Sequence, residues 1–146
     1  MIELRDLTEE DLPVLYEQAR DPESVAMADV PVRDRAAFDA HWIGVLADPS
    51  VVKRGITADG ELVGHLVSFL HEGNREIGYW VARAHWGKGV ATLALLAFLE
   101  LETRRPLFAG VAPHNARSRR VLEKCGFVLV EERTDGLLLR LDPAIG

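Results

Sequence analysis

"HWGKGVATLALLAFLE", residues His85 to Glu100, sets two glycines around a lysine and then runs into an apolar segment. The residues with the greatest backbone freedom stand directly before strong helix formers. Two readings fit. The glycines make a plain turn between a strand and a helix, or they form a loop whose N–H groups converge on an anion at the positive end of a helix dipole. The common nucleotide fingerprints fail on spacing. A Walker A loop follows its lysine with Ser or Thr, and here Lys88 is followed by Gly89; a GxGxxG loop needs a third glycine where Thr92 stands. What remains is a short cradle for a phosphate or pyrophosphate, built from the amides of roughly residues 87 to 92. Gly87 and Gly89 permit close approach of the backbone, and the Lys88 side chain reads as solvated because the amides do the binding.

Outward from this stretch, "REIGYWVA" (75–82) reads as the strand before it, and the long helix is predicted over roughly 87–104. Downstream, "LFAGVA" (107–112) reads as a strand and "NARSRRVLEKC" (115–125) as a helix. "FVLVEER" (127–133) and "LLLRLD" (137–142) form a hairpin around Asp135-Gly136. Upstream, "IELRDL" (2–7) alternates as a half-buried strand does. Thr8 then caps a helix to about Ala19, with Glu9, Glu10 and Asp11 in its first turn. "DPESVAMADVPV" (21–32) reads as a loop, and Asp34 caps a helix closed by Asp48-Pro49. "VVKRGITA" (51–58) and "ELVGHLVSFL" (61–70) pair across Asp59-Gly60, with "HEGN" (71–74) as the next turn. This order predicts an α/β (mixed α+β) fold, a mixed sheet with helices on both faces. The long helix is apolar nearly all round, which predicts cover on most sides by the sheet or, in the other reading, by a second subunit.

A chain of 146 residues suits one domain, 1–146. Its formal net charge of −6 argues against a nucleic-acid partner. A single cysteine, Cys125, gives no disulfide framework, and the absence of HExxH leaves a metal site unsupported. "MIELRDLTEEDL" has no apolar signal-peptide core, and "VATLALLAFLEL" is too short to span a bilayer. The expectation is a cytoplasmic protein with no membrane association.

"EIGYWVARAHWGKGVATLAL", followed after one strand by "PHNARSRRVLEKCGFVL", resembles the GCN5-related N-acetyltransferase (GNAT) superfamily. Within it, the two motifs are most similar to the ribosomal-protein N-terminal acetyltransferase-like group. The resemblance implies a twisted, mostly antiparallel sheet splayed between its middle strands, with acetyl-CoA as co-substrate and no metal. It places the pyrophosphate on the loop at Trp86, Gly87, Lys88, Gly89, Val90, Ala91 and Thr92. The pantetheine arm would add like a strand to Tyr79, Trp80, Val81 and Ala82, one of whose N–H groups would polarise the thioester carbonyl. Asn115 is a helix N-cap on its own residue type, and the family pattern also makes it a cofactor contact. Ser118 is implied near the sulfur, where it would protonate or stabilise the leaving thiolate; the plain alternative is an ordinary first-turn serine. Arg117, Arg119 and Arg120 read as solvated surface, with the 3′-phosphate end of the cofactor as a possible neighbour.

The sequence departs from the family pattern in three places. Leu122 stands where many members carry a tyrosine general acid, Ala84 stands where Arg or Gln often precedes the loop, and Leu93 replaces a glutamate. A neutral amine must attack the thioester, so a proton acceptor helps. Glu76, on the strand face shared with Gly78 and Trp80, is the candidate base, and its plain reading is a strand-end carboxylate. His71 and His114 are alternatives. Cys125 reads as a packed residue. The function expected is an acetyl-CoA-dependent N-acetyltransferase working by direct attack in a ternary complex. Its acceptor, a protein N-terminus or a small amine, would enter between the first two helices and the late hairpin. Met27, Trp42 and Trp80 are candidate pocket residues, with Trp42 also readable as core. A non-catalytic acyl-CoA sensor is the competing reading, and monomer and homodimer both remain open.

Overall fold

A computed structural model describes residues 1–144; the last two residues of the expected domain lie outside them. The elements in chain order are β1 (Ile2–Arg5), α1 (Leu12–Ala19), α2 (Pro22–Ala28), α3 (Arg35–Ala47), β2 (Val52–Ala58), β3 (Glu61–His71) and β4 (Asn74–Val81). They continue with α4 (Val90–Leu101), β5 (Leu107–Val111), α5 (Ala116–Lys124), β6 (Val128–Arg133) and β7 (Gly136–Leu141). Short 3₁₀ turns at Glu9–Asp11 and Arg83–His85 lead into α1 and the glycine loop.

The strands form one mixed sheet in the order β1-β2-β3-β4-β5-β7-β6, antiparallel at every junction except β4–β5. Strand alternation, shifted once where β3 passes from Gly64 opposite Ile56 to Leu62 opposite Thr57, sorts the side chains between two cores. Leu66, Ile77, Val81, Leu107 and Leu139 meet α4 and α5 through Ala94, Leu95, Phe98 and Leu122 on one face. Leu62 and Leu7 meet Leu12, Leu15, Phe38 and Trp42 of α1 and α3 on the other. Burying a side chain such as Phe98, which has no exposure, is worth about 1.5–3 kcal/mol.

Three expectations need correction. The segment expected as a loop at 21–32 contains α2: the Asp21 carboxylate accepts from the Ser24 amide at 3.0 Å and Pro22 fills the first turn, where its missing N–H costs nothing. The long helix is shorter than predicted, because Gly89 takes a left-handed conformation (φ 77°) and starts it at Val90. Its burial is also one-sided. Ala94, Leu95 and Phe98 are sealed, while Leu93 (54% exposed), Leu96 (45%) and Leu101 (41%) face outward.

Candidate active site

Strands β4 and β5 are neighbours at a single register pair, Glu76 with Phe108, and part beyond it. Up to Val81, β4 stays fully paired with β3 on its other side. Main-chain groups alternate between the two edges of a strand. The Ala82 amide donates to Val63 O of β3 at 2.8 Å, so Trp80 likewise points its peptide groups at β3, and Tyr79 and Val81 point theirs into the gap. Trp80 and Ala82 are thus unavailable for the strand addition expected of them, the Trp80 peptide groups being turned to β3 and the Ala82 carbonyl being taken by the His85 amide at 2.9 Å.

The gap ends at the glycine loop. Gly87 (φ 75°) and Gly89 (φ 77°) both sit in the left-handed region that side chains disfavour. The first amide to bond back at the head of α4 is Leu93, which donates to Gly89 O at 3.0 Å. Among the described residues the amides of 87 to 92 donate to no protein acceptor. A helix start leaves such donors for water or for an anion.

Above this loop lies a cleft of about 360 Å³. β4 contributes Tyr79, Trp80 and Val81, the loop and α4 contribute Trp86, Gly87, Gly89 and Val90 to Thr92, and α5 adds Asn115, Arg117 and Ser118. Met27 closes one side from α2. Arg120 and Lys124 also line the cleft, and among the described residues no carboxylate does, in a chain whose net charge is −6. The Arg117 guanidinium lies over the Trp86 ring at 5.1 Å, close to Gly87, and the Trp86 indole N–H donates to Val81 O at 2.9 Å. The cleft is therefore cationic, with its charge held against the loop.

Asn115 caps α5, its Oδ1 accepting from the Ser118 amide at 3.1 Å, and lines the cleft. The Tyr79 hydroxyl lies 2.7 Å from Ser118 Oγ and also reaches Ser118 O at 3.1 Å. Burial pushes the Tyr79 phenol up to about 12, against the opposing bond from Ser118. Trp80 is held from the other face, its indole N–H donating to Gln18 O at 3.0 Å.

Glu76 does not open onto this cleft. It lines a second depression of about 320 Å³, between the end of α2 (Ala28, Asp29) and the β6–β7 hairpin (Arg133, Asp135). The two cavities share Ala28, the first bordered by Tyr79 to Val81 of β4 and the second by Asn74 and Glu76. His71 borders the second depression, whereas His114 is tied up with Ala26 O at 2.8 Å. Lys88 is exposed and borders neither cavity. Trp42 is core, 6% exposed and stacked edge-on to His65 at 4.8 Å. Cys125 is buried, and burial pushes its thiol up. Sequence reasoning missed the Tyr79 side chain and the Arg117–Trp86 pair. The signal for Tyr79 was there: it alternates with Ile77 and Val81 onto the α4–α5 face, where a phenol tip needs a polar partner.

Fold and site together define an α/β domain that can take an extended, anionic ligand between two strands. The chain belongs to the GNAT acetyltransferase family, whose acetyltransferase (GNAT) domain model matches residues 2–128. It is similar to YdaF of Bacillus subtilis (strain 168), which carries the name of a ribosomal N-acetyltransferase, at 38% identity over 104 residues, 66% of this chain and 56% of that protein. YjcK of the same organism, named as an N-acetyltransferase, is 50% identical over 56 residues, 35% of this chain and 30% of that protein. The matches thus span about half or less of the length of these curated relatives. Among solved structures, the aminoglycoside acetyltransferase AAC(6′)-Ib with coenzyme A superposes with a TM-score of 0.84 at 24% identity, covering 97% of this chain and 95% of that one. Mycobacterium smegmatis RimJ with CoA-disulfide gives 0.76 at 23% identity, covering 97% and 81%. Among the described residues no helix is long and apolar enough to cross a membrane, and no cluster of potential metal ligands is found.

Proposed function

We propose that this chain is an acetyl-CoA-dependent N-acetyltransferase that moves the acetyl group directly to a primary amine. The observation that carries the reading is the run of unpartnered amides at 87–92, at the end of an open gap between β4 and β5 and under a carboxylate-free cationic rim. That combination fits a diphosphate at the loop and an extended amide-bearing arm along β4. The Tyr79 peptide groups and the Val81 amide supply strand-type hydrogen bonds to the arm, and one of these N–H groups polarises the thioester carbonyl. Asn115 adds a side-chain contact and Ser118 faces the sulfur end.

The acceptor reading rests on the second depression. It lies between the end of α2 and the late hairpin, not against α1 and α3 where the acceptor was expected to enter, and its wall carries Asp29, Glu72, Glu76 and Asp135 against Arg133. Carboxylates at its rim suit a cationic amine and Glu76 is the acid closest along β4 to the gap, so it takes the role of base, directly or through one water. Glu76→Gln is expected to lower kcat about a hundredfold with the KM for acetyl-CoA changed less than about threefold. Steady-state kinetics at saturating acceptor check this, and an unchanged kcat removes Glu76 as base.

The decisive test is release of coenzyme A thiol from acetyl-CoA in the presence of a panel of amines: an alanine-start peptide, a polyamine and an aminosugar. Amine-dependent thiol release supports the enzyme and names its acceptor class. Saturable acetyl-CoA binding with no such release across the panel would instead support a cofactor sensor.

A further inference from the structure

We propose that Tyr79 is a positioning residue: its hydroxyl donates to Ser118 Oγ and so turns the Ser118 proton into the cleft, toward the sulfur of bound coenzyme A. The inference rests on the acetyl-CoA reading above and adds the device that makes Ser118 a donor where Leu122 leaves no tyrosine.

The geometry allows two proton arrangements. A phenol carries one proton, a serine hydroxyl one proton and two lone pairs, and a carbonyl only accepts. If Tyr79 gives its proton to Ser118 O, at 3.1 Å, then the 2.7 Å contact must be filled by the Ser118 proton pointing at Tyr79, away from any ligand. If Tyr79 gives its proton to Oγ, the Ser118 proton is free to turn outward. Two features favour the second arrangement. Ser118 O lies in the first turn of a nine-residue helix and already serves as a helical acceptor, so it does not need the phenol proton. Sulfur that is gaining negative charge draws the Ser118 proton toward it, and among the described residues Tyr79 is the hydroxyl within reach of Ser118 Oγ to back that proton up. The phenol stays protonated throughout, because burial pushes it up to about 12. The other ionisable groups facing this pair are Cys125 at the end of α5, Arg117, Arg120 and Lys124 on α5, and His85 across the cleft.

In the transfer step the amine lone pair forms the C–N bond and the C–S electron pair leaves on sulfur. Sulfur takes the Ser118 proton, Ser118 regains one from water, and the proton shed by nitrogen goes to Glu76 or water. One proton leaves nitrogen and one reaches sulfur, so the step balances with Tyr79 unchanged.

The test needs no acceptor. The thiol of coenzyme A bound to the intact chain is titrated by thiolate absorbance. In wild type it is expected to titrate about one pH unit below free coenzyme A, because a donor at sulfur favours the thiolate. Tyr79→Phe keeps the ring in its packing and is expected to bring the bound thiol back toward the free value, as Ser118→Ala does. The double variant is expected to match Ser118→Ala alone, since the two groups act as one unit. A Tyr79→Phe protein whose bound thiol titrates as in wild type while Ser118→Ala shifts it overturns the proposal, as do additive effects. Binding with an unshifted thiol in every variant overturns this proposal alone. Failure of wild type to bind coenzyme A overturns the acetyl-CoA reading with it.

Discussion

Gly87→Glu is expected to weaken acetyl-CoA binding about a thousandfold while leaving a folded protein. Gly87 sits at φ 75° on the rim of the loop, and a Cβ built there comes 3.9 Å from an Arg117 guanidinium nitrogen. A carboxylate on that Cβ does two things at once: it pairs with Arg117, taking that charge out of service, and it stands where the loop amides converge. A unit charge about 4 Å from a phosphate oxygen in a partly shielded site is repelled by about 4 kcal/mol, which is roughly three decades in Kd. The left-handed backbone adds a separate cost of about 1 kcal/mol, borne by free and bound protein alike, so it lowers stability and not affinity. Gly87→Ala carries the backbone cost without the charge and isolates it. Calorimetric titration with acetyl-CoA, run beside thermal melts of both variants, measures the two effects apart. Affinity retained in the folded Glu variant places the diphosphate elsewhere.

How far this site was legible in the sequence follows from the range of the interactions that build it. The loop was readable because its ingredients are local: two glycines that accept positive φ, then residues that start a helix. The order of strands and helices was readable for the same reason, through period-2 alternation and the Asp-Gly turns. The parting of β4 from β5 was not in any spacing; it came only from the resemblance to a family, because strand pairing depends on residues 30 or so apart in the chain closing or failing to close. α2 was missed although its signal is local, since the stretch 21–32 reads as a loop, yet Asp as N-cap and Pro in the first turn start a helix equally well. Ala82 shows the finer limit. Sequence carries the strand through it, whereas β4 ends at Val81, and which edge its amide faces depends on the β3 register, which gives its N–H to Val63. Likewise Leu93 and Leu96 read as core because α4 is apolar all round, and only docking of the helix on the sheet selected Ala94, Leu95 and Phe98 for burial.

Glu102 is the residue whose importance the sequence hid most completely, and it supports the largest stability effect expected here. In "LELETRRP" it looks like one more solvated charge, yet it is 1% exposed, turned in behind the end of α4. Arg104 holds it three ways: its amide and Nε donate to Oε1 at 3.1 and 2.9 Å, and Nη2 donates to Oε2 at 2.7 Å. Burial works against the charge, but the Arg104 side chain, the nearby Ser68 hydroxyl and the Arg104 amide outweigh it and hold the carboxyl at about 2. Removing one partner of a buried pair strands the other, at a cost of about 3–5 kcal/mol. Because Arg104 itself is half exposed (51%), the low end applies, and Arg104→Ala is expected to cost about 3 kcal/mol at neutral pH. For a domain of this size that is a fall in Tm of about 10 °C. The pH dependence fixes the cause. A carboxyl whose folded value lies below its ordinary value of about 4.3 contributes stability that is complete above that range and drains away as pH falls toward 2. The gap between wild type and Arg104→Ala is therefore expected to be widest at neutral pH and to narrow as pH falls toward 2, beginning above the ordinary carboxylate range because burial without Arg104 raises the stranded carboxyl, which takes up a proton and no longer needs its partner. Urea unfolding of both proteins at pH 7 and pH 3 measures that gap. A difference that stays constant between the two would mean Arg104 stabilises the chain through packing of its stem, with the charge on Glu102 playing no part.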